Sequence, residues 1–376
     1  MRASIAVCLG VASLGLACFG AEPAWSQTTK RAKPPIVAEP AKTDMNAWTV
    51  GLAGGLLEGS FIRYAADIAK VLDDDDNLRV LPLVTYGAVG NVSDLLYLKG
   101  VDAAITQADV LEHFKREMNV PRIDERVHYV SPLYHSEVHI CARPEFKTMK
   151  DLEGRKVGFN TRGSAANLTG QIVFRRLNVN VEPVFVNNSV AIEQMRKGEL
   201  AALVHVVGKP NDLFTSMKGE PVCRFVPVEY SDALSDFYLP TSLKREDYPG
   251  LIASGEVPTV AVQTLLAVFN WPKGSERHRK VARFIEAYFA KFEQLQQAPY
   301  QPKWKEINLA AKVPGWTRYH VAEEALAKMG PPEEKTAQMR SQFEAFLTAQ
   351  GDRRSSSLSP QEREALFSEF LKWQRR

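Results

Sequence analysis

The sequence predicts an α/β chain built as two similar lobes, and three observations carry that prediction. The first is a block that the chain builds twice. Val80–Gln107 opens with an apolar run closed by a Gly-bearing turn, V-L-P-L-V-T-Y-G. A helically spaced segment follows with Val92, Leu95, Leu96 and Leu98 on one face, then Lys99-Gly100 as a C-cap signal, then the buried-strand run Val101–Ile105. Val181–Val207 repeats the plan: V-E-P-V-F-V-N-N-S, a helix over Val190, Ile192 and Met195, Lys197-Gly198, and a strand from Leu200 to Val207. Pro82 answers to Pro183, and Ala103-Ala104 to Ala201-Ala202. The second observation is that the unit ahead of each copy also matches. Thr49-Val50-Gly51 leads to Gly59-Ser60 and a helix, and Lys156-Val157-Gly158 leads to Gly163-Ser164 and a helix. The third is size: 376 residues with 45% hydrophobic and 24% charged content are enough for two lobes, each with its own core.

Taken in order, residues 1–26 read as a secretory signal peptide. Arg2 supplies the positive end, Ile5–Phe19 the apolar core, and Ala24-Trp25-Ser26 a small-x-small cleavage site. The apolar run is about 15 residues, short of the roughly 20 that a membrane span needs. Cys18 after Leu16-Ala17 suggests a lipid anchor, but Gly15 stands where a Leu belongs, so a free exported chain is the expectation. Residues 27–46, rich in Pro, Lys and Ala without a period, read as a disordered leader. Trp48–Leu52 is the first strand, followed by a helix through Ile62, Ala65, Ile68, Ala69 and Leu72. Asp73–Asp76 lacks the alternating ligand spacing of a calcium loop and reads as a solvated acidic turn. After the first repeated block come a short helix over 110–118, a strand at 127–130 and a second strand at 137–143. After the second block come a strand at 222–228, loop and short-helix material over 231–252, and a long apolar return strand, Pro258–Phe269. Glu276–Gln297 is one amphipathic helix, with Val281, Phe284, Ile285, Tyr288, Phe289 and Phe292 on one side. Pro331-Pro332 then breaks the chain, and two charged amphipathic helices follow at about 335–349 and 360–374. Their Phe and Leu faces are expected to pack on the protein's own lobe.

Composition narrows the function. A net charge of +3 with signs interspersed leaves no footprint for nucleic acid. Once the signal is removed, Cys141 and Cys223 remain; each sits in its own apolar run, so two separate buried thiols are expected, although an oxidising compartment allows one disulfide.

The chemistry lies in four loops. In α/β sheets, ligands sit beyond the carboxyl ends of the strands, where the next helix begins. Gly54–Ser60, Thr85–Asn91, Asn160–Ala165 and Asn187–Ser189 are such loops, rich in Gly, Ser, Thr and Asn. Glycine lets a ligand approach the backbone, and helix-start N–H groups suit a carboxylate. Ser60, Thr85, Asn91, Asn160, Thr161, Ser164, Asn187 and Asn188 offer hydrogen bonds of either sense, and Arg162 offers a two-point clamp. Each of these polar residues serves equally well as a plain N-cap, and Arg162 as a solvated charge; the convergence of the loops is the argument.

Catalytic signatures are scarce. The sequence holds no G-x-S-x-G elbow, no H-E-x-x-H and no Walker loop. Strand alternation would place His135, Glu137 and His139 on one face as a metal trio, but the strand is also the expected hinge, and hydrogen-bonded hinge histidines are the competing reading.

These residues resemble the TAXI-type solute receptors of TRAP transporters, a branch of the type II periplasmic binding proteins. The resemblance runs from Trp48 to about Gly330 through G-G-L-L-E-G-S-F (54–61), T-Y-G-A-V-G-N (85–91), K-G-V-D-A-A-I-T-Q-A-D-V (99–110), D-L-E-G-R-K-V-G (151–158), R-G-S-A (162–165), V-P-T-V-A-V (257–262) and P-K-W-K-E-I-N…P-G-W-T-R-Y (302–319). The chain departs from the family in places. Where the family has Tyr-Tyr after its first Gly pair, this sequence has Phe61-Ile62, with Glu58 inserted ahead of them. Ala88 and Ala108 replace family serines, which removes hydroxyls from the expected pocket and weakens an inference of glutamate or a similar dicarboxylate.

The resemblance implies a two-lobed α/β fold of the type II periplasmic binding protein kind, to which the residues themselves add a signal peptide and a helical C-terminal extension that lies outside the usual extent of the family. Lobe 1 would comprise 47–141 and a return segment 258–330, lobe 2 142–257, and the extension 331–376. It implies a non-enzyme without cofactor or metal, placed in the periplasm, that closes on a small organic acid or amino acid and presents it to membrane permease subunits. Loops and resemblance together nominate Gly54, Gly55, Glu58, Ser60, Phe61, Thr85, Asn91, Gln107, Asn160, Arg162, Gly163, Ser164, Asn187 and Asn188 as ligand-binding. The alternatives are a ligand sensor or assembly module acting through the C-terminal helices, and an exported metal-dependent hydrolase centred on His135, Glu137 and His139.

Overall fold

The computed structural model describes residues 48–74, 77–217 and 222–329, with Phe343, Leu366 and Phe367 beyond them. The first repeated unit folds as β1 (Thr49–Gly55), α1 (Ser60–Leu72), β2 (Arg79–Val84), α2 (Ala88–Tyr97) and β3 (Ala103–Gln107). Parallel strands covered on both faces read as continuous apolar runs, and β3 is buried along its whole length. α1 buries Phe61, Tyr64, Ala65, Ile68, Val71 and Leu72, the stripe that a helical period places on one face. Two short helices, α3 (Val110–Arg116) and α4 (Ile123–Arg126), lead to β4 (Val127–Ala142).

The second unit folds in the same order: β5 (Lys156–Gly158), a π-helical stretch Ala166–Gly170 running into α5 (Gln171–Arg176), β6 (Glu182–Val184), α6 (Asn188–Arg196) and β7 (Ala202–Val207). Then come α7 (Asp212–Thr215), β8 (Arg224–Phe225), β9 (Tyr238–Lys244) and β10 (Glu256–Phe269). The chain continues through α8 (Glu276–Ala290), α9 (Phe292–Leu295) and α10 (His320–Met329).

The strands run in the order β2-β1-β3-β10-β4-β7-β5-β6, with β8 beside β4 and β9 beside β10. Each unit is a parallel trio, β2-β1-β3 and β6-β5-β7. The antiparallel pair β4 and β10 passes between them: β4 pairs with β10 over Val127–Glu137 and with β7 over Glu137–Ala142. This is the two-lobed α/β arrangement of type II periplasmic binding proteins. Pro82 and Pro183 sit on β2 and β6, the two ends of that strand order, where a missing N–H disrupts no ladder. Gly198, at φ 78°, follows the C-cap Lys197 of α6 as the Lys-Gly signal predicts, whereas α2 ends one residue earlier at the C-cap Leu98 and Gly100, at φ 92°, lies in the turn beyond it. The return segment is fastened to lobe 1. The Trp304 indole N–H and the Gln301 amide both donate to Asp67 at 2.9 Å, and the Trp316 indole donates to the Ala108 carbonyl at 2.9 Å.

Several expectations are corrected. Cys141 and Cys223 form a disulfide with Cα atoms 5.4 Å apart; β8 pairs antiparallel with β4, Cys141 opposite Phe225, so the two apolar runs are neighbours. The strands at 127–130 and 137–143 are one, because β4 continues through Pro132, which lies opposite Leu265 beside a shift in register. The strand at 222–228 shortens to β8, and residues 245–251 form turns instead of a helix, while Tyr238–Lys244 is a strand despite Pro240. The helix expected over 276–297 is interrupted at Lys291. Asp73 and Asp74 are exposed, and Asp74 forms a bridge with Leu78; Asp75 and Asp76 lie outside the described residues. So do the signal peptide, the leader and nearly all of the C-terminal extension, of which Phe343 and Phe367 are buried with ring centroids 5.4 Å apart.

Candidate functional site

The helix openings of both units border one cavity of about 40 Å³. Lobe 1 contributes Gly55, Leu56, Gly59, Ser60, Phe61, Tyr86 and Gly87, and lobe 2 contributes Asn160, Ser164, Ala165, Ala166, His205 and Val206. All but two reach it for the same local reason: a parallel strand ends, the chain turns, and a helix starts back over the sheet; His205 and Val206 reach it from within β7. The Ser60 hydroxyl oxygen accepts from the Gly208 N–H at 2.9 Å, and that of Ser164 accepts from the Asn167 N–H at 3.2 Å. Asn160 is engaged at both ends of its side-chain amide, the nitrogen donating to Glu58 at 3.1 Å and the carbonyl oxygen accepting from Thr161 N–H at 2.7 Å.

The lobes touch around this cavity. Glu58 Oε1 accepts from Asn160 and also from Asn188, at 3.0 Å, and the Glu58 backbone carbonyl accepts from Asn211 at 3.3 Å. The first N–H groups of α2 have a partner in the opposite lobe: Val89 and Gly90 donate to the Gly163 carbonyl at 3.0 and 3.2 Å. Such an approach needs glycine on both sides. Gly87 has φ 111°, and a Cβ there would lie 3.3 Å from the Ser164 Cα; Gly163 has φ 83°. Arg63 pairs with Asp212 across the same junction. Deeper, the Asp109 carboxylate accepts from the Thr169 hydroxyl at 2.6 Å and the Tyr238 hydroxyl at 3.0 Å. Burial pushes the Asp109 pKa up, and the two hydroxyls pull it part of the way back.

The expected site residues are distributed as follows. Gly55, Ser60, Phe61, Asn160 and Ser164 line the cavity. Glu58, Gly163 and Asn188 instead join the lobes beside it. Gly54 is buried beneath Ile62. Thr85 donates to Asn91, whose amide ties β1 to β3 through the carbonyls of Ala53 and Ile105. Gln107 is fully buried and accepts from Thr169 at 3.1 Å. Asn187 is the N-cap of α6, accepting from Val190 N–H at 2.9 Å. Arg162 lies 4.0 Å over the Phe185 ring, a cation–π contact rather than a clamp on the cavity. Of the cavity residues that the sequence reading neither placed in the four loops nor nominated, Ala166, His205 and Val206, only His205 carries a polar side chain. A signal for it existed: counting on from the paired alanines, the repeat sets His205 opposite Gln107.

His135, Glu137 and His139 do not present a joint set of ligands. His139 Nδ1 meets the Glu137 carbonyl at 2.9 Å and its Nε2 the Tyr248 hydroxyl at 2.8 Å, while the Glu137 carboxylate accepts from Lys303 at 2.5 Å. Burial lowers the His139 pKa to about 3, keeping the ring neutral. Among the described residues no cluster of His, Cys, Asp and Glu is placed to hold a metal ion. A second cavity of about 210 Å³ lies between Ser60 and Arg63 of α1, residues 208–212 and residues 301–303. Its cations already have partners: Arg63 has Asp212, Lys209 has Asp247 at 3.0 Å, and Lys303 has Glu137. Among the described residues no helix is long and apolar enough to cross a membrane.

A sequence profile of the NMT1-like family matches residues 53–315, which span both lobes and the cavity. The chain belongs to the NMT1-like family. No curated protein matches this NMT1-like chain in sequence. Among solved structures it is similar to the alkanesulfonate-binding protein SsuA of Xanthomonas axonopodis pv. citri, at TM-score 0.42 and 11% identity over 80% of this chain and 92% of that one. It is also similar to a Salmonella typhimurium periplasmic binding protein of high arginine specificity, at TM-score 0.42 and 15% identity over 69% and 97% of the two chains.

Proposed function

We propose that this NMT1-like chain is a periplasmic solute receptor, exported through residues 1–26, that captures a small organic acid or amino acid by closing its two lobes. Lobe 1 (47–141 and 258–330) and lobe 2 (142–257) would part and close about β4 and β10, and the closed form would be presented to the permease of a TRAP-type transporter. The observation that carries the reading is the shared cavity: the Gly59-Ser60 opening and the Ser164-Ala165 opening border the same space. The polar contacts around it are hydrogen bonds and the exposed Arg63–Asp212 ion pair, which suit an interface that opens and shuts. A cavity of about 40 Å³ holds a few waters at most, so a solute enters only as the lobes separate. TRAP-type transport is supported by the motifs from Gly54 to Tyr319 quoted above.

A ligand stabilises closure only through its greater affinity for the closed state. The test is thermal melting of the mature chain against a broad panel of organic acids and amino acids. A ligand held 100-fold above its dissociation constant adds about 2.7 kcal/mol. A flat response across the panel, with no small molecule retained in native mass spectrometry, would remove the receptor reading.

A further inference from the structure

His205 is only 4% exposed, and neither ring nitrogen has a hydrogen-bond partner among the described residues. Buried polar groups are ordinarily paired, so an imidazole kept in this state at the wall of a cavity calls for a partner that arrives from outside. Burial lowers its pKa to about 4, which leaves a neutral ring with one donor and one acceptor. Across the cavity stands the start of α1. This 13-residue helix has Gly59 as its N-cap and no side-chain cap among the described residues, so first-turn N–H groups remain open beside Ser60 and Phe61.

The rest of the wall limits what can bind. Leu56, Phe61, Ala165, Ala166 and Val206 are apolar, and no Lys, Arg, Asp or Glu lines the cavity among the described residues. An amino acid's ammonium group would find no carboxylate there. A second carboxylate would find no cation there, and the amides of Asn160 and Asn188 already donate to Glu58.

We propose that the cavity takes a short-chain monocarboxylate, its carboxylate between the open start of α1 and His205 and its apolar body against Leu56, Phe61, Ala165 and Val206. His205 is then a specificity-determining contact. The proposal rests on the receptor reading and narrows its ligand class.

Calorimetry on the mature chain with propionate, isobutyrate and lactate, set against succinate, glutamate and arginine, tests it. At least one monocarboxylate binds and the other three do not. Binding of succinate, glutamate or arginine in their place overturns the class and leaves the receptor reading intact, whereas silence across these probes and the broader panel removes both. His205→Phe and His205→Leu separate a ligand contact from a structural role. Either variant that folds weakens monocarboxylate binding at least about tenfold, while its ligand-free melting temperature stays level or rises, since an unpaired buried polar group has been removed. Unchanged affinity in the variants overturns the assignment of His205.

Discussion

Across the cleft the two lobes present opposite halves of a hydrogen bond. Lobe 1 supplies acceptors: the Glu58 carboxylate and carbonyl, the Ser60 hydroxyl oxygen, and the Gln107 and Asp109 side chains. Lobe 2 supplies donors to them from Asn160, Asn188, Thr169, Gly208, Asn211 and Tyr238. The start of α2 and the Arg63–Asp212 pair run the other way. A repeated βα plan therefore decides where loops converge and leaves their chemistry free to differ. The lobes also differ inside. The parallel strands of lobe 1 lie wholly in the large common core, which also takes in Val157, Phe159, Val173 and Val204 of lobe 2, whereas lobe 2 has in addition a separate small core that gathers Met195, Leu203, Phe214, Phe225 and Tyr248 around the Cys141–Cys223 disulfide.

The largest expected effect breaks that second contrast. Replacing both cysteines with serine frees a link between residues 82 apart in sequence, and costs about 2–5 kcal/mol. Hydrogen exchange should rise first around β8 and Tyr248 while β1 and β3 stay protected; equal loss in β1 and β3 would show that the small core is not held separately from the common one. The next effect addresses the donor–acceptor contrast. Glu58→Ala leaves two buried or half-buried amides without their acceptor, at about 1–3 kcal/mol, all of it on the closed state. Small-angle scattering of ligand-free protein should show a larger radius of gyration than native. An unchanged radius would mean that Glu58 does not hold the lobes together. A smaller effect comes from the facing glycines: Gly87→Ala, at φ 111° and 3.3 Å from the Ser164 Cα, should cost about 1–2 kcal/mol. Gly163→Ala, at φ 83° with 3.5 Å of clearance, should cost less. Chemical denaturation of the two variants checks the ranking, and the reverse order would refute it.

The same contrast explains which parts of the site were legible in the sequence. The duplicated plan was readable because each of its signals is local: Pro82 and Pro183 fall on equivalent outer strands, and Gly100 and Gly198 turn the chain after equivalent helices. What a polar loop residue does is not local. Asn187 and Asn188 are adjacent and equally polar, yet the first caps its own helix and the second reaches Glu58, 130 residues away in sequence. Arg162 reads as a clamp until Phe185 is seen beneath it. The disulfide was hidden for a similar reason, because only the pairing of β8 with β4 brings Cys223 to Cys141. Pro132 and Pro240 concealed two strands, since the rule against proline in strands relaxes at irregular and outlying positions.

The last expected effect is read as a slope against pH and concerns the deepest contact between the lobes. Asp109 accepts from Thr169 and Tyr238, has no cation in hydrogen-bond reach among the described residues, and feels His113 only at a distance. Burial raises its pKa, so the folded chain holds a proton that the unfolded chain releases near pH 4. Between that pH and the raised folded value the native state binds more protons than the unfolded state, and linkage makes stability fall as pH rises. Above the folded value the penalty is constant. Its slope cannot exceed about 1.4 kcal/mol per pH unit for one group. Asp109→Asn keeps an acceptor for the two hydroxyls and removes the charge, so it should abolish this component. Urea unfolding from pH 4 to pH 7 should show the native chain losing stability relative to the variant as pH rises. Parallel pH profiles would mean that the Asp109 carboxylate is solvated and that the lobes are not sealed at this depth.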